Sequence, residues 1–246
     1  MANARAGKTK AAPGLRPSAS LGPAEIDELY RRFAAANPDP KSELAFVDPY
    51  TLLVAVVLSA QATDIGVNKA TESLFREVDT PAKMLTLGEE RLRERIKTIG
   101  LFNTKAKNVI ALSRAMVEHH GGEVPRDREA LEALPGAGRK TANIVLNVAF
   151  GEPTVAVDTH VFRVANRTGL APGKTPLEVE TALLERTPTR WLRSAHHRLI
   201  LHGRYVCQAK KPRCPACVIR DICRFEPKTE GVNLASPAAE SGREPG

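Results

Sequence analysis

Apolar side chains recur three and four residues apart through most of the chain between about residues 23 and 226, the spacing of amphipathic helices. In the segment 103–119, Ala106, Val109, Ile110, Met116 and Val117 form one stripe, while Lys105, Lys107 and Arg114 are expected to face water. Segments 127–134 and 159–168 read the same way, and 139–150 carries Ile144, Val145, Val148 and Ala149 at core spacing. Proline follows a cap or turn residue at Gly22-Pro23, Asp48-Pro49, Thr80-Pro81 and Thr175-Pro176, the signature of a first helical position. Alternating strand patterns are scarce; Thr154-Val155-Ala156-Val157 is the one β-like run, and it leads into Asp158. The pattern predicts an all-α protein of about ten to twelve short helices.

A chain of 246 residues with 42% hydrophobic content can bury a sizeable core. Its longest apolar run, Leu52 to Leu58, falls far short of the roughly 20 residues of a membrane span. The formal net charge is +8. Arg5, Lys8, Lys10 and Arg16 precede the first acid, Glu25, and the segment after residue 225 is net acidic, so the globular part keeps a basic excess. That excess suits a polyanion partner. An aromatic content of 4% argues against a stacking platform for single strands. Residues 1–22 and 227–246 are expected to be disordered, for want of apolar mass. The first stretch shares its composition with organelle transit peptides, and it has no apolar region of the secretory kind.

Candidate chemistry centres on 134–142, Leu-Pro-Gly-Ala-Gly-Arg-Lys-Thr-Ala. Pro135, Gly136 and Gly138 impose a tight turn between two helices, and the amides of the turn and of the next helix's first residues, through Thr141, point outward as an anion site. A Walker loop needs Gly before Lys, where Arg139 stands. A dinucleotide loop needs a third glycine and a preceding strand. What remains is a helix–hairpin–helix that grips a phosphodiester without reading bases. Lys140 there is either a phosphate-pairing cation or an amine nucleophile. A free lysine is neutral about once in a thousand near pH 7.4. The second role therefore needs surroundings that disfavour the ammonium, such as the helix N-terminus, Arg139 and burial under DNA. Asp158 is placed to cap the helix that follows it.

All four cysteines fall in one short stretch, Cys207, Cys214, Cys217 and Cys223. Such crowding suits one metal centre. Only Cys214 and Cys217 form the C-x2-C pair of zinc ribbons, and the flanking single cysteines suit a loop around a [4Fe–4S] cube, although the spacing is not that of a ferredoxin. Zinc and disulfides remain alternatives. Arg204, Lys210, Lys211, Arg213, Arg220 and Arg224 surround the series against Asp221; they offset a cluster's negative charge, reach DNA, or form a solvated surface.

Taken with Leu58–Asp64 (Leu-Ser-Ala-Gln-Ala-Thr-Asp), Lys97–Leu101 (Lys-Thr-Ile-Gly-Leu), Val157–His160 and Leu201–Arg204, the hairpin and cysteine motifs make residues 24–226 resemble the endonuclease III family of DNA glycosylases. The resemblance implies a helix–hairpin–helix glycosylase fold. A six-helix barrel domain over 42–152 would carry the hairpin, and an iron–sulfur domain over 153–226 would be joined by the N-terminal segment 24–41. It implies a [4Fe–4S] cluster on the four cysteines and a monomer acting on duplex DNA with damaged bases or abasic sites. It casts Lys140 as nucleophile and Asp158 as the carboxylate that stabilises charge at C1′. Gly136, Gly138, Arg139 and Thr141 would grip phosphate, and Gln61 and Leu101 would fill the gap left by an extruded nucleotide. His160 is either a substrate-side contact or a core histidine. The expected activity is bifunctional, excising oxidised pyrimidines and cleaving the abasic strand. A non-catalytic DNA-binding module and the adenine or mismatch glycosylases of the same superfamily are the alternatives; the adenine enzymes carry a serine-like residue at the Lys140 position. The expected location is cytoplasmic in a bacterium, nuclear or mitochondrial in a eukaryote.

Overall fold

A computed structural model describes residues 19–230, which form eleven α-helices, one 3-10 turn and no β-ladder. The helices are α1 (Pro23–Ala36), α2 (Pro49–Leu58), α3 (Asp64–Glu77), α4 (Pro81–Leu87), α5 (Glu89–Arg95), α6 (Phe102–His120), α7 (Arg128–Glu132), α8 (Arg139–Phe150), α9 (Thr159–Thr168), α10 (Pro176–Arg186) and α11 (Thr189–Tyr205). All four proline signals open a helix, and Asp48, Thr80 and Thr175 each accept a first-turn N–H as side-chain caps.

The apolar faces assemble two cores. One runs from Leu44 to Leu146 and takes in α2 to α8; nine of the ten residues of α2 are buried, and the helix is sheathed on all sides. The other joins Leu21 and α1 to α9, α10, α11 and Ile219. The chain thus leaves the second core after α1, builds the first, and returns through the extended stretch 151–158. That β-like run pairs with no strand. Asn147 Nδ2 donates to Thr154 O (3.1 Å) and Asn143 Nδ2 to Val155 O (3.4 Å), so α8 amide side chains satisfy backbone carbonyls of the run, while Thr154 Oγ1 donates back to Asn143 O (2.7 Å).

Two expectations change at the ends. Leu21, within the span expected to be loose, is buried and donates its N–H to Gly169 O at 2.9 Å. Thr229, in the expected tail, donates from Oγ1 to Pro212 O at 2.5 Å. Residues 1–18 and 231–246, which hold the rest of those spans, lie outside the described residues. In α6 the buried arc is wider than the stripe, because α4 and α5 both pack against it. Lys105 is only 4% exposed rather than facing water, whereas Val117 is 42% exposed.

Candidate active site

The hairpin between α7 and α8 is built as its glycines require. Gly136 has φ +80°, and a Cβ there would meet the Asn108 side chain at 2.9 Å, so both the backbone and the neighbour exclude a larger residue. Gly138 is the N-cap of α8 and offers no side-chain cap, which leaves the N–H groups of the first turn free to meet an anion. Lys140 sits exposed on that turn. Asp158 caps α9 as expected, its Oδ1 accepting from His160 N (2.9 Å) and Val161 N (2.8 Å). Those bonds fix one carboxylate oxygen and leave the other available.

Lys140 opens into a cavity of about 60 Å³ at the seam between the cores, lined also by Ser59, Asp64, His196 and Arg204. Arg204 of α11 reaches across the seam, pairing with Asp64 at 2.6 Å and with Glu43. Buried His196 hydrogen-bonds Ala156 O through Nδ1 at 2.8 Å, which pins the stretch leading to Asp158 against α11. Burial, with the nearby His197, holds its imidazolium down to about 4; Asp158 and Lys140 both lie close enough to act on it electrostatically. Sequence reasoning missed His196 and Glu180. Neither lies in a motif, and nothing in the local pattern marks them.

Arg139, expected at the DNA, is committed elsewhere. Its guanidinium binds the Glu180 carboxylate of α10 in a fork, at 2.8, 3.0 and 3.1 Å, and Glu180 is 4% exposed. A charge so paired contributes little field at Lys140, which removes one of the three expected causes of a neutral amine. Similarly Arg224 pairs with Glu25 at 2.5 Å, so Arg224 and Arg204 are not surplus cations for DNA. His160 is half-buried; Arg163 Nη2 donates to its Nδ1 at 3.1 Å, and its Cβ packs where Gly203 of α11 leaves room.

Gln61 (φ 54°) and Leu101 (φ 59°) are the non-glycine residues with left-handed backbones among those described. Such conformations are costly for side-chain-bearing residues and cluster at functional loops. The two loops touch: a Cβ on Gly100 would lie 4.0 Å from Gln61 O. Leu101 is 59% exposed, so an apolar wedge and a polar one project side by side.

The four cysteines carry no disulfide. Among the described residues no three metal-binding side chains stand in a ready ligand arrangement. The thiols are nonetheless mutual neighbours: burial foremost, together with charge on Cys223, Cys207 and Cys214, pushes Cys217 up to about 12. Arg167 Nη1 lies 3.7 Å from Cys207 Sγ, and His202 Nε2 3.7 Å from Cys217 Sγ. An all-sulfur donor set with cationic and N–H groups turned toward it fits a soft, thiolate-bound centre.

A family model of HhH-GPD superfamily base excision DNA repair proteins matches residues 54–189. Endonuclease III of Rickettsia conorii is 58% identical over 200 residues, 81% of this chain and 95% of the relative. That of Escherichia coli strain K12 is 57% identical over 203 residues, covering 82% and 96%. Among solved structures, a trapped endonuclease III–DNA covalent intermediate in an estranged-adenine complex superposes with a TM-score of 0.78 at 44% identity, covering 83% of this chain and 96% of that one.

Proposed function

The chain belongs to the endonuclease III family within the HhH-GPD superfamily, and on that footing we propose that Lys140 and Asp158 carry out its excision chemistry at the seam cavity. The protein is a base excision repair DNA glycosylase with abasic-site lyase activity. Its substrates are oxidised pyrimidines extruded from duplex DNA. The observation that carries the assignment is the placement of Lys140 at an uncapped helix N-terminus, opening into a cavity whose wall residue His196 hydrogen-bonds Ala156 O, two residues before Asp158. A relative trapped as a covalent intermediate with DNA supports a route through a covalent protein–DNA bond.

The neutral Lys140 amine donates its lone pair to C1′ to form the Nζ–C1′ bond, the bond from C1′ to the base breaks, and the base departs with the electrons of that broken bond and takes a proton. Asp158, ionised beside the developing positive charge, stabilises the oxocarbenium-like transition state and relays protons to and from the amine. The attached nitrogen loses a proton, its lone pair expels O4′ as the C1′–O4′ bond breaks, and O4′ takes a proton, which opens the sugar to an iminium. This loses a C2′ proton, the C3′–O bond breaks with release of the 3′ phosphate, and hydrolysis returns the amine. Hairpin amides at Gly136, Gly138 and Thr141 hold the strand phosphate, while Gln61 and Leu101 occupy the vacated stack. His160 positions the segment between Asp158 and α11. Arg139 braces the hairpin rather than contacting DNA.

Cys207, Cys214, Cys217 and Cys223 hold a [4Fe–4S] cluster, which when bound cross-links a segment with little apolar core of its own. Borohydride trapping on abasic duplex DNA tests the chemistry: a covalent adduct is expected, absent in Lys140→Ala. An unchanged adduct in that variant refutes the nucleophile. Absorbance near 400 nm with iron analysis tests the cluster, and colourless protein with stoichiometric zinc refutes it.

A further inference from the structure

We propose that His196 selects the extruded base, accepting at Nε2 a hydrogen bond from the ring N–H of an oxidised uracil- or thymine-type pyrimidine. The inference rests on the seam cavity being the lesion pocket, as proposed above. His196 is 3% exposed and shares that cavity with Lys140. Its Nδ1 lies 2.8 Å from Ala156 O. A carbonyl oxygen only accepts, so Nδ1 carries the proton and Nε2 of the neutral ring presents a lone pair. Among the described residues Nε2 has no hydrogen-bond partner, yet it is not a fully enclosed atom, and the space it meets is the cavity that His196 lines.

The remaining polar groups on the wall are tied to the protein by at least one bond each. Glu43 and Asp64 both turn a carboxylate oxygen to Arg204, and Ser59 Oγ spends its proton on Val56 O at 2.8 Å, so none of the three offers an uncommitted donor. Arg204 and Lys41 add donors to the lining. A neutral acceptor at Nε2 flanked by the cationic donors Lys140 and Arg204 complements the carbonyl–N–H–carbonyl edge of an imide. A general-base role toward Lys140 fails on magnitude. The imidazole is held down to about 4 while a free lysine ammonium lies near 10.4, a mismatch on the order of a millionfold. The same depression keeps the ring neutral, and so an acceptor, at any working pH.

The test separates base removal from strand cleavage. Asn at 196 keeps an amide donor near the Nδ1 position and deletes the distal acceptor. In single-turnover assays His196→Asn is expected to excise thymine glycol about 10- to 100-fold more slowly. Its cleavage of preformed abasic duplex should stay within about threefold of wild type, which also shows that the variant is folded. A thymine glycol methylated at N3 should slow the wild-type protein by a similar factor and cost His196→Asn nothing more. Equal loss on lesion and abasic DNA, or full wild-type activity on the N3-methyl lesion, overturns the proposal. Absence of lyase activity in the wild-type protein would instead sink the underlying assignment of Lys140.

Discussion

Replacing Arg139 should cost more stability than replacing its partner, although the two form one ion pair. Glu180 has a side chain 5% exposed, and its carboxylate is met by Arg139 alone among the described side chains; Arg139 is 42% exposed. Removing one member of a fully buried pair costs about 3–5 kcal/mol, because the remaining charge is stranded. Here Arg139→Met strands a buried carboxylate near the protein surface, where water can partly reach it, so about 1–3 kcal/mol is expected. Glu180→Gln leaves the charge on the half-exposed member, which water can solvate, and should cost under about 1 kcal/mol. The double variant should be more stable than the sum of the single effects by about 1–2 kcal/mol. Urea unfolding of the holo-protein measures all three. Additive single effects, or Glu180→Gln costing as much as Arg139→Met, would show that the carboxylate is not stranded and refute the brace. Since Arg139 is already neutralised, Arg139→Met should also leave the salt dependence of DNA binding nearly unchanged. A lost phosphate contact would reduce that slope by about one.

Asp158→Asn keeps an acceptor for the His160 and Val161 amides but removes the charge. Stability should fall by under about 1 kcal/mol, while single-turnover lyase rates drop roughly a hundredfold; a cap-only role predicts no such drop. Gly136→Ala meets both a positive φ and the Asn108 side chain, and should destabilise by about 1–3 kcal/mol and weaken DNA binding, read by calorimetry and fluorescence anisotropy. His196 has its folded-state value depressed from 6.5 to about 4, so the unfolded chain binds the extra proton. Its contribution is therefore present above pH 6.5 and lost as pH falls through 4. Across that window the unfolding free energy of wild type should decline by up to about 1.4 kcal/mol per pH unit more than that of His196→Asn. Parallel pH profiles would remove His196 from the account.

The sequence reveals those parts of the fold whose cause is local. Proline at a first helical position needs only its own turn, and the ends of α1, α2, α4 and α10 follow from it. The hairpin is legible because positive φ and close approach at Gly136 leave glycine as the sole fitting residue. Lys105 was misread because its environment is set by two other helices; periodicity marks a stripe, and only packing against α4 and α5 fixes how wide it is. Gln61 and Leu101 needed the family motifs, since nothing in either residue type announces a left-handed backbone.

What remained hidden lies at the seam. Lys140 belongs to a helix of the first core, while Asp158 and His196 belong to the second, and the extensive helix–helix contacts fall within the two sets rather than between them. The separation of amine and carboxylate is therefore set by a few cross-seam ties: Arg139 to Glu180, Arg204 to Asp64 and Glu43, and the Asn147 amide to Arg193 O at 3.1 Å. Each joins residues distant in sequence, so no window of the chain contains the pair. All are polar, as a boundary that must open to a nucleotide requires: an apolar seam would bury itself, whereas ion pairs at a part-wet edge can exchange partners at little net cost. On this reasoning the catalytic geometry depends on a handful of charges remote from the reacting atoms. Variants at Glu180 and Glu43 should then slow Schiff-base formation at saturating DNA while leaving the affinity for abasic duplex nearly unchanged.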